Sequence, residues 1–298
     1  MIEIPNIYKE FYSLLAQIPE GAVSTYGDMA IQLGDIVSAR AVGEMLSENE
    51  HPDLLPCYRV VMSDGTLGGY THPNGTAEKA RRLRRDGITI SNGKIENFEK
   101  IRFKDFRSNF PLKRYRDQVR KIKLDGTVDH SAGVRSIDIS YSGRIGVGVA
   151  VNFEKELSYE IEVKEARSPY IPNYLYLREG EIYESLVAKG KINVIDGNGV
   201  LHRDGRGVAT LVGAKKKVAT VGLAKSLLTG EERGNEIFIG GKKVGERIGK
   251  YFVSKGFGID LREAVNALIK EGNFPQTKFA DRLSRRYKDE ILPVKHSL

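Results

Sequence analysis

The chain has one cysteine, Cys57, among 298 residues, which excludes an internal disulfide framework and any zinc site built from several thiolates. Long apolar runs are missing too. The longest uncharged apolar stretch, Ile145 to Val151, is far short of the roughly 20 residues a membrane helix needs. The N-terminus lacks a basic-then-apolar signal pattern, so the expectation is a cytoplasmic protein with no membrane association. There is no internal repeat and no low-complexity run. With 40% hydrophobic and 29% charged residues, the composition is that of a folded globular protein and excludes a disordered or collagen-like polymer. At roughly 100 to 200 residues per domain, the length favours two domains.

The net charge is +8, from 47 Lys and Arg against 39 Asp and Glu, and it is unevenly spread. Lys79 to Lys123 holds sixteen basic residues against five acidic ones, a net +11, so the rest of the chain is slightly acidic. Concentrated positive charge of this kind suits a polyanion, because each phosphate contact releases condensed counterions. A solvated face kept for solubility is the alternative.

Residues 1–93 combine short helical patterns with Gly-rich turns and end at Ser91-Asn92-Gly93. A basic linker is expected over 94–104, and 105–298 is expected to form a second domain. That domain opens with a helix over Asp105 to Leu124, on which Phe106, Phe110, Leu112, Tyr115, Val119 and Ile122 recur at helical spacing. Arg135 to Tyr141, Ile145 to Phe153, Leu157 to Val163 and Lys191 to Ile195 read as strands, with a helix from Glu179 to Ala188 before the last. Further strand and helix patterns run through Val218 to Leu228 and Leu261 to Ile269. This order predicts an α/β domain with a mixed sheet.

In the first part, Thr25 to Asp28 has capping-box spacing ahead of a helix reaching Leu33. After Gly34-Asp35, Ser38 to Leu46 reads as a second helix with small residues Ala39, Ala41 and Gly43 beside Arg40. The pair is a helix-turn-helix candidate. Downstream stand Pro56-Cys57-Tyr58-Arg59-Val60-Val61 and Leu67-Gly68-Gly69-Tyr70. A lone cysteine is either a buried structural residue or a nucleophile.

As an ordered set, from about Phe11 to Gly87, these motifs resemble the DNA-binding and active-site domain of O6-alkylguanine-DNA alkyltransferases. The resemblance implies that Cys57 accepts an alkyl group from a flipped base in an irreversible reaction. It also implies that Arg40 fills the gap left in the duplex and that Tyr26 helps rotate the nucleotide. Asn49 would be the hinge after the recognition helix, and Tyr70 and Thr71 would line the alkyl pocket. The histidine that relays the thiol proton in that family is Tyr58 here, and its carboxylate partner is Asp86 in place of glutamate. A phenol, with a pKa near 10, is a poorer base than imidazole.

In the second part, Asp138 lies on a strand whose alternation separates it from Ile137 and Ile139. Glu179 opens a helix, and Asp196 ends an apolar strand. Taken singly, each acid could be a turn residue or an ion-pair partner; taken together, they could hold a divalent cation, whose hard-ligand preference favours Mg²⁺. Pro169-Tyr170-Ile171-Pro172, Arg178-Glu179, Val194-Ile195-Asp196-Gly197-Asn198-Gly199 with His202, and Thr220-Val221-Gly222-Leu223-Ala224-Lys225-Ser226 follow the order found in endonuclease V. The likeness spans about Tyr115 to Arg282 and implies an RNase H-like fold.

By this resemblance Asp138, Glu179, Asp196 and Asp281 are the metal-binding acids, with Mg²⁺ as the ion and Mn²⁺ as a substitute. Tyr170 would be the wedge pushed into the duplex, and Lys225 and His202 would lie near the scissile phosphate. The family's His-Pro-Arg reads His202-Arg203-Asp204 here, its Ser-His-Leu-Gly reads Thr210-Leu211-Val212-Gly213, and the glycine after the wedge is Asn173.

The whole order resembles archaeal bifunctional methyltransferase/endonuclease fusions. That implies a methylated-DNA-protein-cysteine methyltransferase joined to a deoxyinosine 3′ endonuclease, acting on double-stranded DNA with alkylated or deaminated bases, with no protein partner implied. The alternatives are a non-catalytic module for recognising alkyl lesions fused to an active nuclease, or a nuclease half that acts on inosine-containing RNA.

Overall fold

The computed structural model describes residues 3–153, 156–270 and 275–291. They form two compact units, one running to Asp117 and including Arg167–Pro172, the other comprising Gln118–Ala166 and the chain from Asn173 onward.

The first unit is mainly helical. Helix α1 (Ile7–Leu15) starts where the Asn6 side chain accepts from the Lys9 N–H, and it buries Ile7, Tyr8, Phe11, Leu14 and Leu15 at helical spacing. Strand β1 (Ser24–Thr25) leads into helix α2 (Tyr26–Leu33). The Thr25 Oγ1 accepts from the Asp28 N–H at 3.0 Å, forming the predicted N-cap, and donates to Asp28 Oδ2 at 2.8 Å, so the return bond goes to the hydroxyl. Gly34 ends α2 at φ +103°, in the left-handed region. One turn, Ile36–Ser38, then gives helix α3 (Ala39–Ser47). A Cβ on Gly43 would sit 3.7 Å from the Tyr26 ring, so α3 meets α2 at van der Waals distance there.

Strand β2 (Val60–Val61) pairs parallel to β1, with Ser24 opposite Val60 and Thr25 opposite Val61. Helix α4 (Gly75–Arg85) follows, then the short antiparallel pair β3 (Ile90–Ser91) and β4 (Lys94–Ile95), and helix α5 (Phe98–Ile101). Residues 94–104, read as a linker above, are thus built into this unit. Arg102 joins Asp28 through two hydrogen bonds, Nε to Oδ2 at 2.8 Å and Nη2 to Oδ1 at 2.9 Å. The core comprises Val23, Tyr58, Val61, Leu67, Leu83, Ile88 and Ile95 with their neighbours.

Helix α6 runs only from Pro111 to Arg120, shorter than the 105–124 expected. Proline lacks the N–H that a first helical turn leaves unused, so it starts the helix readily. The preceding residues bond elsewhere: Arg107 N–H donates to Gln17 Oε1 at 2.8 Å, and Ser108 Oγ donates to the Gln32 carbonyl at 2.5 Å. Phe110 has φ +48° and breaks the helical register.

The second unit is built on a nine-stranded mixed sheet. Its elements are β5 (Val134–Ser142), β6 (Ile145–Phe153), β7 (Leu157–Glu165), α7 (Leu175–Leu186), β8 (Ile192–Asp196), α8 (Val208–Lys216) and β9 (Thr220–Ala224). They continue with β10 (Glu231–Arg233), β11 (Glu236–Ile239), β12 (Lys242–Ile248), β13 (Tyr251–Lys255), α9 (Leu261–Lys270) and α10 (Pro275–Ile291). The strand order is β10-β11-β12-β13-β9-β8-β5-β6-β7. β8 runs parallel to both β5 and β9, and the remaining pairs are antiparallel.

The inner strands β8 and β9 are buried almost throughout, as expected of parallel strands covered on both faces. Helix α10 lies against β5 and β6, where Ala280 packs with Val149 and Val151. Helix α7 approaches β6 where that strand has glycine: a Cβ on Gly148 would run into Ile182 of α7.

Candidate active sites

In the first unit, Cys57 opens a single turn, Cys57–Arg59, just before β2, and is 7% exposed. Its N–H donates to the Leu55 carbonyl at 2.7 Å, the same carbonyl that accepts from Asn49 Nδ2 at 2.8 Å. Asn49 therefore ties the end of α3 to the turn bearing the thiol. The parallel pairing of β1 with β2 brings Tyr26 toward the same place. Burial and then the Cys57 charge push the Tyr26 phenol above its ordinary pKa. Tyr70 is raised further, first by burial, then by the Cys57 charge. Thr71 is exposed, and so is Arg40 in the first turn of α3.

The Tyr58 hydroxyl lies 3.5 Å from Asp86 Oδ1, at the limit of hydrogen bonding. Asp86 is engaged on its other oxygen, where Arg59 Nε donates to Oδ2 at 2.6 Å. Arg59 and Arg82 also stack over the Tyr58 ring, at 5.3 and 5.6 Å from its centroid. The carboxylate thus already has a full positive charge beside it.

In the second unit, strand register places the acids. β5 and β8 pair in parallel as far as Ile137 opposite Ile195, so Asp138 and Asp196 come next to each other at the following position. Asp138 is 4% exposed. Burial, with the charges of Asp196 and Asp281, raises its carboxyl to about 7 against the pull of Ser284, whose Oγ donates to Asp138 Oδ2 at 2.6 Å. Ser284 and Asp281 share α10, and the Ser284 Oγ also reaches the Asp281 carbonyl at 3.1 Å. Glu179 on α7 is raised to about 8 by burial, then by Asp196, with Asp138 adding to the effect. Tyr183, one turn further along α7, donates to the Asp196 carbonyl at 3.0 Å. Lys225 Nζ donates to Asp196 Oδ2 at 2.6 Å; burial alone would lower its pKa, but Asp196 holds it above the ordinary lysine value.

Asp138, Glu179, Asp196, Asp281 and Lys225 therefore act on one another electrostatically. Among the described residues, no three His, Cys, Asp or Glu side chains already stand in an arrangement that would hold a metal ion. The Asp196 and Asp138 oxygens are instead turned toward Lys225 and Ser284.

His202 is 8% exposed, and its Nε2 lies 3.0 Å from the Asn173 carbonyl. Burial lowers its pKa, which favours neutral imidazole. Asn173 has φ +68°, a conformation that asparagine tolerates better than most residues. Arg203 reaches the Tyr174 hydroxyl at 2.9 Å, and Asp204 is paired with Arg120 at 2.7 Å, so the loop that departs from the endonuclease V pattern is held by its own contacts. Tyr170 is 53% exposed. It lies in the Arg167–Pro172 segment, which packs as part of the first unit, where the Ile7 N–H donates to the Arg167 carbonyl at 2.8 Å.

Sequence reasoning missed Lys79, Tyr183 and Ser284. Ser284 follows Asp281 by three residues on one helix, a spacing that puts both on one face. Nothing in the local sequence of Lys79 marks it as buried.

The first unit thus has the helical build of an alkyltransferase DNA-binding domain, and the second the mixed sheet of an endonuclease V domain. Residues 6–88 match the family described as 6-O-methylguanine DNA methyltransferase, DNA binding domain, and residues 116–281 match Endonuclease V. A bifunctional methyltransferase/endonuclease from Thermoplasma volcanium is 44% identical over 264 residues, covering 87% of this chain and 82% of the relative. One from Picrophilus torridus is 41% identical over 302 residues, covering 98% and 95%. The crystal structure of endonuclease V from Streptomyces avermitilis superposes with a TM-score of 0.50 at 25% identity, over 59% of this chain and 90% of the other. The chain belongs to the bifunctional methyltransferase/endonuclease family, in which these two domains are fused.

Proposed function

We propose that this chain repairs two kinds of damaged base in DNA. In the first activity, Cys57 takes the alkyl group of O6-alkylguanine and keeps it. In the second, Asp138, Glu179, Asp196 and Asp281 bind Mg²⁺, or Mn²⁺ in its place, and direct hydrolysis of the second phosphodiester bond 3′ to deoxyinosine or another deaminated base. The observation that carries this reading is a pair of chemically distinct centres, one in each unit. One is a buried thiol whose charge is felt by the Tyr26 and Tyr70 phenols, and the other is a set of carboxylates that raise one another's pKa.

In the alkyl-transfer centre, the target carbon is buried in a stacked duplex and must be extruded to meet a nucleophile. Arg40, exposed on α3, fills the vacated space, Tyr26 steers the nucleotide, and Tyr70 and Thr71 line the alkyl pocket. Asn49 fixes the turn that presents Cys57. Tyr58 and Asp86 occupy the proton-relay positions. Exposed basic residues of the Lys79 to Lys123 stretch, among them Arg84, Arg85, Lys94 and Lys100, supply phosphate contacts.

The donor chemistry of the second centre fits a hard dication, because every ligand is an oxygen and Asp138 and Glu179 are raised by burial and then by the neighbouring acids. A bound dication would polarise the phosphate and supply a nucleophilic hydroxide at neutral pH. The residues do the remaining work. Asp138 and Asp196 hold their side of the site through strand register, Tyr183 fixes the end of β8, and Lys225 turns from Asp196 toward the phosphate. His202 orders the loop beside the substrate, and Tyr170 wedges the duplex open.

The test pairs two lesions with three proteins. Wild type, Cys57→Ala and Asp196→Ala are each given O6-methylguanine duplex and deoxyinosine duplex with Mg²⁺, with inosine RNA as a third substrate. Expected is loss of methyl acceptance alone in Cys57→Ala and of incision alone in Asp196→Ala. Wild type that gains no methyl mass on Cys57 would reduce the first unit to lesion recognition. Preferential cutting of inosine RNA would reassign the nuclease.

A further inference from the structure

Lys79 is a charged side chain 1% exposed, and its place on α4 puts it among the most deeply buried residues of the chain. Its Nζ donates to the Val60 carbonyl at 2.7 Å and to the Gly69 carbonyl at 3.2 Å. These carbonyls belong to segments that frame the thiol. Val60 follows the Cys57–Arg59 turn directly, and Gly69 precedes Tyr70, whose phenol is raised by the Cys57 charge. An ammonium has three donors, and two are used here. Among the described residues, no carboxylate lies within ion-pair distance of Nζ. A buried cation without a counter-charge is costly, so the site favours an anion opposite it.

The other groups facing the sulfur cannot fill that role. The Tyr26 and Tyr70 phenols are both pushed upward and stay neutral. Arg82 and Glu78 face Tyr70, but Arg82 is bonded to Glu78 at 2.8 Å and to Asp53 at 2.7 Å, which spends its charge. Tyr58 is poised only toward Asp86, which Arg59 already neutralises. Lys79 feels Cys57 in the stabilising sense: burial pulls its amine down to about 8, and the Cys57 charge pulls it back up.

We propose that Lys79 is the positioning cation for alkyl transfer, supplying the positive charge against which the Cys57 thiolate forms, in the place that the Tyr58–Asp86 pair leaves empty. The proposal rests on the alkyl-transfer reading above. The Cys57 thiol releases its proton to solvent, and the thiolate forms beside the Lys79 ammonium. Sγ then bonds to the alkyl carbon as the bond from that carbon to guanine O6 breaks, and the electron pair leaves with the purine. The purine takes one proton from solvent and departs as guanine. The thioether carries no charge, so Lys79 loses its counter-ion.

Because Cys57 is the only cysteine, iodoacetamide reports on this thiol alone in the full-length protein. Rates are measured from pH 6 to 9.5 for wild type, Lys79→Met and Lys79→Gln, beside single-turnover methyl transfer from O6-methylguanine duplex. Expected is a rising limb displaced upward by about one pH unit in both variants, hence about tenfold slower alkylation at pH 7. The plateau at high pH should be unchanged. Superimposable profiles would overturn the Lys79 assignment. Wild type whose thiol depends on Lys79 but accepts no methyl would instead overturn the alkyl-transfer reading. Should neither variant fold, the Lys79 ammonium of wild type is titrated by NMR before and after Cys57 is blocked. A fall in its pKa after blocking supports the assignment, and an unchanged value rejects it.

Discussion

Asp138 and Asp196 stand side by side because β5 and β8 run parallel, with Ile137 opposite Ile195. Neighbouring strands lie about 4.8 Å apart, so two carboxylates at the next position are forced together by the backbone itself. The proximity of the two side chains is built into the strand register. It makes the site energetically incomplete at neutral pH.

Stability in the second unit should therefore respond to pH in an unusual sense. Asp138 and Glu179 have folded values of about 7 and 8, above those of unfolded acids near 4. Acids raised on folding contribute stability that is present below the unfolded pKa and is lost as pH rises through the folded value. Between pH 5 and 8 the melting temperature of the metal-free protein should fall, and Mg²⁺ should restore more at pH 8 than at pH 6. Asp138→Asn should flatten this dependence and abolish incision while leaving methyl acceptance intact. Calorimetry with and without EDTA reads the first effect. An Asp138→Asn protein with the wild-type pH slope would contradict the account.

Ser284 tunes the same carboxylate. Its hydroxyl donates to Asp138 at 2.6 Å and favours the ionised form. Hydrogen bonds to charged groups contribute about 1.5 to 3 kcal/mol, and one pKa unit is about 1.4 kcal/mol. Ser284→Ala should shift the acidic limb of the incision profile upward by about one pH unit, with little change once the pH exceeds that limb. Single-turnover incision of deoxyinosine duplex from pH 6 to 9 makes the measurement.

Most of the strand ladder was legible in the sequence. Alternation along Arg135 to Tyr141 and the apolar run Ile192 to Ile195 predict β5 and β8 to within a residue or so. The capping box at Thr25 predicts α2 for the same reason, since the signal is local. The antiparallel extension β10 to β13 was not legible as such. Its strands are short and charged, as in Glu231–Arg233, and its pairing depends on turns at Gly234 and Gly240-Gly241 whose partners the sequence does not name. The nearness of Asp138 and Asp196 could be anticipated only through resemblance, because parallel register is set by contacts across the sheet. The burial of Lys79 was invisible for another reason: α4 reads as a basic solvent-facing helix, with Arg81, Arg82, Arg84 and Arg85 around it.

Gly148 positions Glu179 indirectly. A side chain there would collide with Ile182 and crowd Leu186, both on the helix that carries Glu179. Gly148→Ala should cost about 1 to 3 kcal/mol through overpacking and lower incision by displacing α7. Methyl acceptance by Cys57 should stay at the wild-type rate. Equal loss of both activities would mean that the damage is global unfolding.

The Arg102–Asp28 pair makes the opposite pH prediction for the first unit. Burial alone would raise the Asp28 carboxyl, but hydrogen bonds from Arg102 and Thr25 hold it below its ordinary value. A carboxyl depressed on folding contributes stability that is present above its unfolded pKa, near 4, and is lost as pH falls through the folded value. Arg102→Met leaves the Asp28 carboxylate mostly buried without its cation, and breaking such a pair costs about 3 kcal/mol. The loss should be full at pH 7 and shrink below pH 4, where protonation of Asp28 removes the unpaired charge. Denaturant unfolding of wild type and Arg102→Met at pH 7 and pH 3 measures it. A difference that stays constant across that range would show that Arg102 acts through packing and not through its charge.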